Sequence, residues 1–75
     1  MNVKLTPMKR NVLQCIADAG ERGRLLMWVL AVDQLPWRGY EDLKNAGYVE
    51  DVPEPGQERV RITAAGRAAL AGEAP

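Results

Sequence analysis

Between Leu43 and Leu70 the chain reads LKNAGYVEDVPEPGQERVRITAAGRAAL, and few folds accommodate such a stretch. Leu43 is the last strong apolar anchor of a helical pattern, and Gly47 follows as a helix stop. Tyr48 to Val52 predicts a first strand, and Pro53-Glu54-Pro55-Gly56 predicts the tip of a hairpin. Arg59 to Ile62 alternates charged and branched apolar residues, which turns Val60 and Ile62 inward and Arg59 and Arg61 outward. Thr63 then caps a last short helix over Ala64–Ala71.

Upstream, Thr6-Pro7 is a good helix start, with a hydroxyl for the free amides and a proline at the first helical position. Met8, Val12, Leu13 and Ile16 recur at helical spacing, and Leu5 can staple back onto the first turn. They predict a helix over about residues 7–19, ended by Gly20 to Gly23, with Lys9, Arg10, Gln14 and Asp18 on other faces. Cys15, the one cysteine, has no disulfide partner in the chain and reads as a small core residue. Arg24 to Gln34 reads as a second helix, because Leu, Met and Ala favour that state. A strand at Arg24 to Leu26, pairing beside the hairpin, is the alternative for its start. Leu35-Pro36 breaks the pattern. Trp37 to Ala46 then predicts a third helix, with Tyr40 and Leu43 inward and Arg38, Glu41, Asp42, Lys44 and Asn45 outward. Residues 72–75 are expected to fray.

The chain has 75 residues, which suits one α+β domain over residues 1–75. A domain of this size buries only about 60% of its unfolded surface. Such a core cannot surround all of Leu25 to Val32, an apolar run of eight. Some of Leu26, Met27, Trp28 and Leu30 should therefore stay near the surface. Trp28 is expected as the main core residue of a chain without phenylalanine, while Trp37 stands between core and surface. No apolar run reaches the roughly 18 residues that cross a bilayer. With no basic-then-apolar N-terminus either, the expectation is a cytoplasmic protein without a membrane segment.

The predicted order is helix, optional strand, helix, helix, strand, hairpin tip, strand, helix. It resembles the winged helix-turn-helix regulators, the MarR and PadR families among them. Two local matches carry the resemblance. Leu43-Lys44-Asn45-Ala46-Gly47-Tyr48-Val49 is similar to the end of a recognition helix running into the first wing strand. Ile62-Thr63-Ala64-Ala65-Gly66-Arg67 is similar to the exit from the wing, where threonine caps and glycine allows tight packing. The chain departs from those families in its short third helix, which opens on proline and tryptophan, and in lacking their long dimerisation helices. The resemblance implies an α+β winged helix of three to four helices with a small antiparallel wing, acting as a monomer or weak dimer.

It also implies double-stranded DNA as the partner and transcription regulation as the role. The helix over 37–46 would enter the major groove with Arg38, Lys44 and Asn45, and the wing over 48–62 would hold the backbone with Arg59 and Arg61. Lys9 and Arg10 could add phosphate contacts. The charge distribution pulls the other way. Formal net charge is zero, and residues 33–58 carry two basic against seven acidic side chains. Phosphate contacts supply most non-specific affinity, so acids on that face forfeit it. The alternative is a winged helix that binds a protein through an acidic outer face. By analogy of size and fold, it would be a phage-type modulator or inhibitor of a nucleic-acid enzyme. Its candidate partner-binding residues are Met27, Leu30, Trp37, Glu41 and Asp42, since tryptophan and arginine are enriched at binding hot spots.

Enzyme chemistry has little support. The chain has no histidine, and a lone cysteine without one lacks its usual activating base. The neighbouring carboxylates Glu41-Asp42 and Glu50-Asp51 read as solvated surface. No catalytic residue, metal ligand or cofactor is expected.

Overall fold

The computed structural model describes residues 5–72. The chain forms α1 (Pro7–Asp18), a single 3-10 turn (Gly20–Arg22), β1 (Arg24–Leu25), α2 (Leu26–Ala31) and α3 (Trp37–Asn45). It then forms β2 (Val49–Val52), β3 (Arg59–Ile62) and α4 (Ala64–Gly72). The three strands make one antiparallel sheet in the order β1-β3-β2, giving a compact α+β fold of four α-helices and a three-stranded sheet.

Local chemistry explains most boundaries. Thr6 Oγ1 accepts from the Lys9 amide at 3.3 Å, Pro7 holds the first helical position, and Leu5 is buried against the core. Gly47 adopts φ +80°, and its amide donates back to the Lys44 carbonyl at 3.0 Å, which closes α3. Thr63 joins three elements. Its amide donates to Tyr48 O at 3.0 Å, its hydroxyl donates to Gly47 O at 2.5 Å, and its Oγ1 accepts from the Gly66 amide at 3.0 Å. Gly66 is buried, and a β-carbon there would land on the Tyr48 carbonyl oxygen. The glycine therefore sets how closely α4 approaches the sheet.

The apolar run after Arg24 divides between two elements. Arg24 and Leu25 pair with Val60 and Arg59 as an edge strand, and the Leu26 amide donates to Glu58 O at 2.9 Å. The chain then turns at once into α2, so the strand alternative holds for the start and the predicted helix over 24–34 contracts to six residues. Beyond α2, Gln34 takes φ +58°. Arg24 fixes this turn: its Nε donates to Asp33 Oδ2 at 2.7 Å and its Nη2 to Asp33 Oδ1 at 2.9 Å. Asp33 in turn holds the Arg24 guanidinium above its ordinary value, chiefly through those hydrogen bonds.

The core forms where α1, α2 and α3 cover one face of the sheet. Leu13, Ile16, Val29, Leu35, Leu43 and Val60 are its fully buried members. Val60 and Ile62 point inward as the alternation requires, and Tyr40 and Leu43 do so from α3. Trp28 is a correction: it is 48% exposed. A six-residue helix buries one stripe, taken here by Leu26 and Val29, and Trp28 falls beside it with Arg24 Cζ 5.4 Å from its ring centre. Cys15 is likewise exposed rather than core, because the inner stripe of α1 runs through Val12, Leu13 and Ile16. Met8, expected on that stripe, is 48% exposed and lines a surface cleft together with Leu35 and Pro36. Leu26 is buried and Leu30 packs partly against the core, whereas Met27 stands free. Gly72, expected to fray, closes α4, and residues 73–75 lie outside the described residues. No helix among the described residues is long and apolar enough to cross a membrane.

Candidate functional site

Helix α3 buries Tyr40 and Leu43 in the core and sets Gly39 against Leu35, which leaves Trp37, Arg38, Glu41, Lys44 and Asn45 on its exposed side. Opposite it stands the β2–β3 hairpin, and the start of α2 closes one end. Between them lies a cleft of about 290 Å³ lined by Leu26, Trp37, Tyr40, Glu41, Lys44, Asn45, Asp51 and Glu58. A second cleft of about 490 Å³, lined by Leu25, Leu26, Met27, Gly56, Gln57 and Glu58, shares Leu26 and Glu58 with the first. The two form one groove running from Met27 to Trp37.

Ion pairing neutralises cations on both sides of the hairpin: Asp51 shares the groove side with Val60, while Glu50 and Arg61 lie on the opposite side. Lys44 Nζ lies 2.6 Å from Asp51 Oδ2, and Arg61 Nε lies 2.7 Å from Glu50 Oε2. Glu50 and Arg61 are direct partners across the β2–β3 ladder, so the register itself brings them together. Arg59 departs from the outward placement read in the alternation. Its side chain keeps only 17% exposure and crosses the hairpin as a strut. Nη1 donates to Gly23 O at 3.4 Å and Nη2 to Gln57 Oε1 at 3.2 Å. The buried Nε sits 3.3 Å from Glu54 Oε2 without hydrogen-bond alignment, so that contact is electrostatic. Lys9 reaches across from α1 to Asp42 at 3.0 Å, and Arg10 Nη2 donates to Leu70 O at 3.4 Å. Among the described residues, Arg38 and Asn45 are exposed without an ion-pair or hydrogen-bond partner from a side chain, and Glu41 and Glu58 are exposed acids outside any ion pair.

At the floor of the cleft, Tyr40 Oη donates to Asp51 Oδ1 at 2.8 Å. Burial pushes the Tyr40 hydroxyl up, and the bond to Asp51 adds to the shift. The Lys44 ammonium and then the Tyr40 hydroxyl hold the Asp51 carboxyl below the ordinary carboxylate range, while the bond to Asp51 raises Lys44. A depressed folded-state value contributes stability above the unfolded value of about 3.9, and that contribution is lost as pH falls through the folded one. Asp51→Asn is therefore expected to flatten the acid limb of the stability–pH curve below about pH 4, by a small amount because solvent screens the pair. Urea midpoints of both proteins between pH 2 and pH 7 check this, and superimposable slopes would contradict it.

The apolar part of the face is unpaired. Trp37 is 55% exposed, with its ring centre 5.1 Å from that of Tyr40 at a 50° tilt, and Met27 is 73% exposed. The structure thus brings Met27, Trp37 and Glu41 to one groove, leaves Leu30 packed against the core, and ties Asp42 to Lys9 outside it. Glu58 and the Tyr40 hydroxyl escaped the sequence reading. Glu58 read as background acidity, and only the pairing of β1 with β3 places it beside Leu26 and Trp37. Among the described residues, no cluster of three or more histidines, cysteines or carboxylates is arranged to hold a metal ion. Comparison with protein-family models, curated proteins and solved structures finds nothing that matches this chain.

Proposed function

We propose that this chain is a winged-helix domain that docks a protein through the groove between α3 and the hairpin. The element order, the strand beside the hairpin and the Thr63–Gly66 exit support the fold reading. One observation carries the functional reading: Lys44, Arg59 and Arg61, three of the four cations that a DNA complex would use, are already matched to Asp51, Glu54 and Glu50. Phosphates would have to displace those carboxylates or lie beside them, which removes most of the gain from counterion release. Trp37 and Met27 are left uncovered along the groove. Tryptophan is the residue most enriched at the centre of protein interfaces.

The transcription-regulator reading retains one specific support. Arg38 and Asn45 stand exposed on α3, where a recognition helix would present them to base edges. It is the second reading, because one unpaired arginine is a small electrostatic hold on a duplex.

Trp37→Ala is expected to abolish capture of the cognate protein while lowering Tm by no more than a few degrees, since the side chain is exposed. Capture that survives the substitution counts against this surface. In parallel, the wild type is expected to show no more than weak binding to a mixed-sequence duplex at about 50 mM salt. Tight duplex binding with a steep salt slope, reduced by Arg38→Ala, would establish the regulator reading instead.

A further inference from the structure

We propose that the cleft between α3 and the hairpin takes an arginine side chain from the partner protein. The inference rests on the protein-docking reading and names the chemistry of its anchor. Three features of the cleft point to a cation with a flat face. Its aromatic wall is made by Trp37 and Tyr40, whose rings meet at a 50° tilt, with Trp37 55% exposed. Its charged lining is Glu41, Asp51 and Glu58 against Lys44 alone, three carboxylates to one ammonium. Asp51 and Lys44 satisfy each other at 2.6 Å, which leaves Glu41 and Glu58 as carboxylates without a counter-ion among the described residues.

Size narrows the choice further. About 290 Å³ lies just below the roughly 300–1,000 Å³ of sites that hold a whole small molecule. It suits one long side chain. A guanidinium can lie on an indole face and still present its N–H fork to two acceptors, whereas an ammonium serves as a point charge. The pair Glu41 and Glu58 supplies the acceptors, and Leu26 gives the aliphatic stem an apolar surface. Towards Met27 the groove continues past Leu26 and Glu58, so the peptide carrying the arginine can lie along it.

Nuclear magnetic resonance titration with N-acetyl-L-arginine methylamide tests the site, with the N-acetyl-citrulline analogue as an uncharged control of nearly the same shape. The two indole N–H signals are assigned with Trp37→Phe. The arginine probe is expected to move the Trp37 signal saturably at roughly millimolar concentration, as suits a single anchor. Citrulline is expected to bind at least about tenfold more weakly, because it lacks the charge that the carboxylates and ring attract. The double variant Glu41→Gln with Glu58→Gln alters exposed side chains, keeps its circular dichroism spectrum and is expected to lose the titration. Equal shifts with citrulline, a response confined to Trp28, or an unchanged titration in the double variant would overturn the proposal. If the arginine probe leaves Trp37 unmoved while Trp37→Ala still abolishes partner capture, the arginine assignment falls and the docking reading stands.

Discussion

Gly23→Ala is expected to destabilise the fold by about 4 kcal/mol, more than any surface change near the groove. Two independent effects meet at this residue. Gly23 holds φ +81° and ψ 176°, a region essentially restricted to glycine, and strain of that kind costs about 1–3 kcal/mol. A β-carbon there would also lie 2.5 Å from Val60 O and 2.9 Å from Val60 C. Those atoms belong to the backbone of the central strand and cannot rotate away as a side chain would. Relief requires β1 to part from β3, which releases Arg24, the start of α2 and the Gly23 carbonyl that Arg59 uses. For a domain of this length the loss corresponds to a fall in Tm of roughly 15–30 °C. Thermal unfolding followed by circular dichroism measures it, and a Tm within a few degrees of wild type would show that the approach of Gly23 to β3 is unimportant.

Leu43→Ala is expected to cost about 3 kcal/mol through the cavity left behind. Leu43 is fully buried in α3 between the helices and the sheet, and its carbonyl accepts from the Tyr48 amide at 3.0 Å. Shortening it removes core contacts without disturbing any charge of the groove. A domain of this size has a total stability of roughly 4–11 kcal/mol, so the variant should stay folded at 25 °C with a clearly lower urea midpoint. The slope of free energy on urea should not change, since the same surface unfolds. A midpoint equal to wild type would place Leu43 outside the core. Partner capture by the folded fraction is expected to persist, in contrast to Trp37→Ala, which separates loss of scaffold from loss of contact.

The groove depends on both kinds of residue. Tyr40 is almost wholly buried and supports the ring of Trp37, yet its hydroxyl reaches Asp51 on the hairpin. Lys44 closes the same triangle from α3. The spacing between helix and hairpin is thus held by a buried aromatic and an ion pair, and Glu41 and Glu58 remain at the rim.

Much of the backbone was legible from neighbours in sequence. Alternation over Arg59–Ile62, the proline-glycine tip, the Thr6-Pro7 start, the Gly47 stop and the Thr63 cap each act within a few residues. Each therefore leaves a readable local pattern. The exposure of part of the Leu25–Val32 run followed from the limited capacity of a small core, whereas Trp37 stood between core and surface until α3 was placed. That surface arginines would pair with nearby acids was a fair expectation. Which acid each cation meets could not be read, because Lys9 meets Asp42 across 33 positions and Arg61 meets Glu50 only once the ladder register is set. Arg59 looked solvent-facing by alternation, but the hairpin tip folds Glu54 and Gln57 back over it. Trp28 lost its expected core place because β1 claimed the first residues of the apolar run and left α2 too short to bury two faces. Short-range propensity acts through bonded neighbours and can be read along the chain. Which charges neutralise one another, and which aromatic stays bare, depends on distances that exist only after the strands and helices have come together.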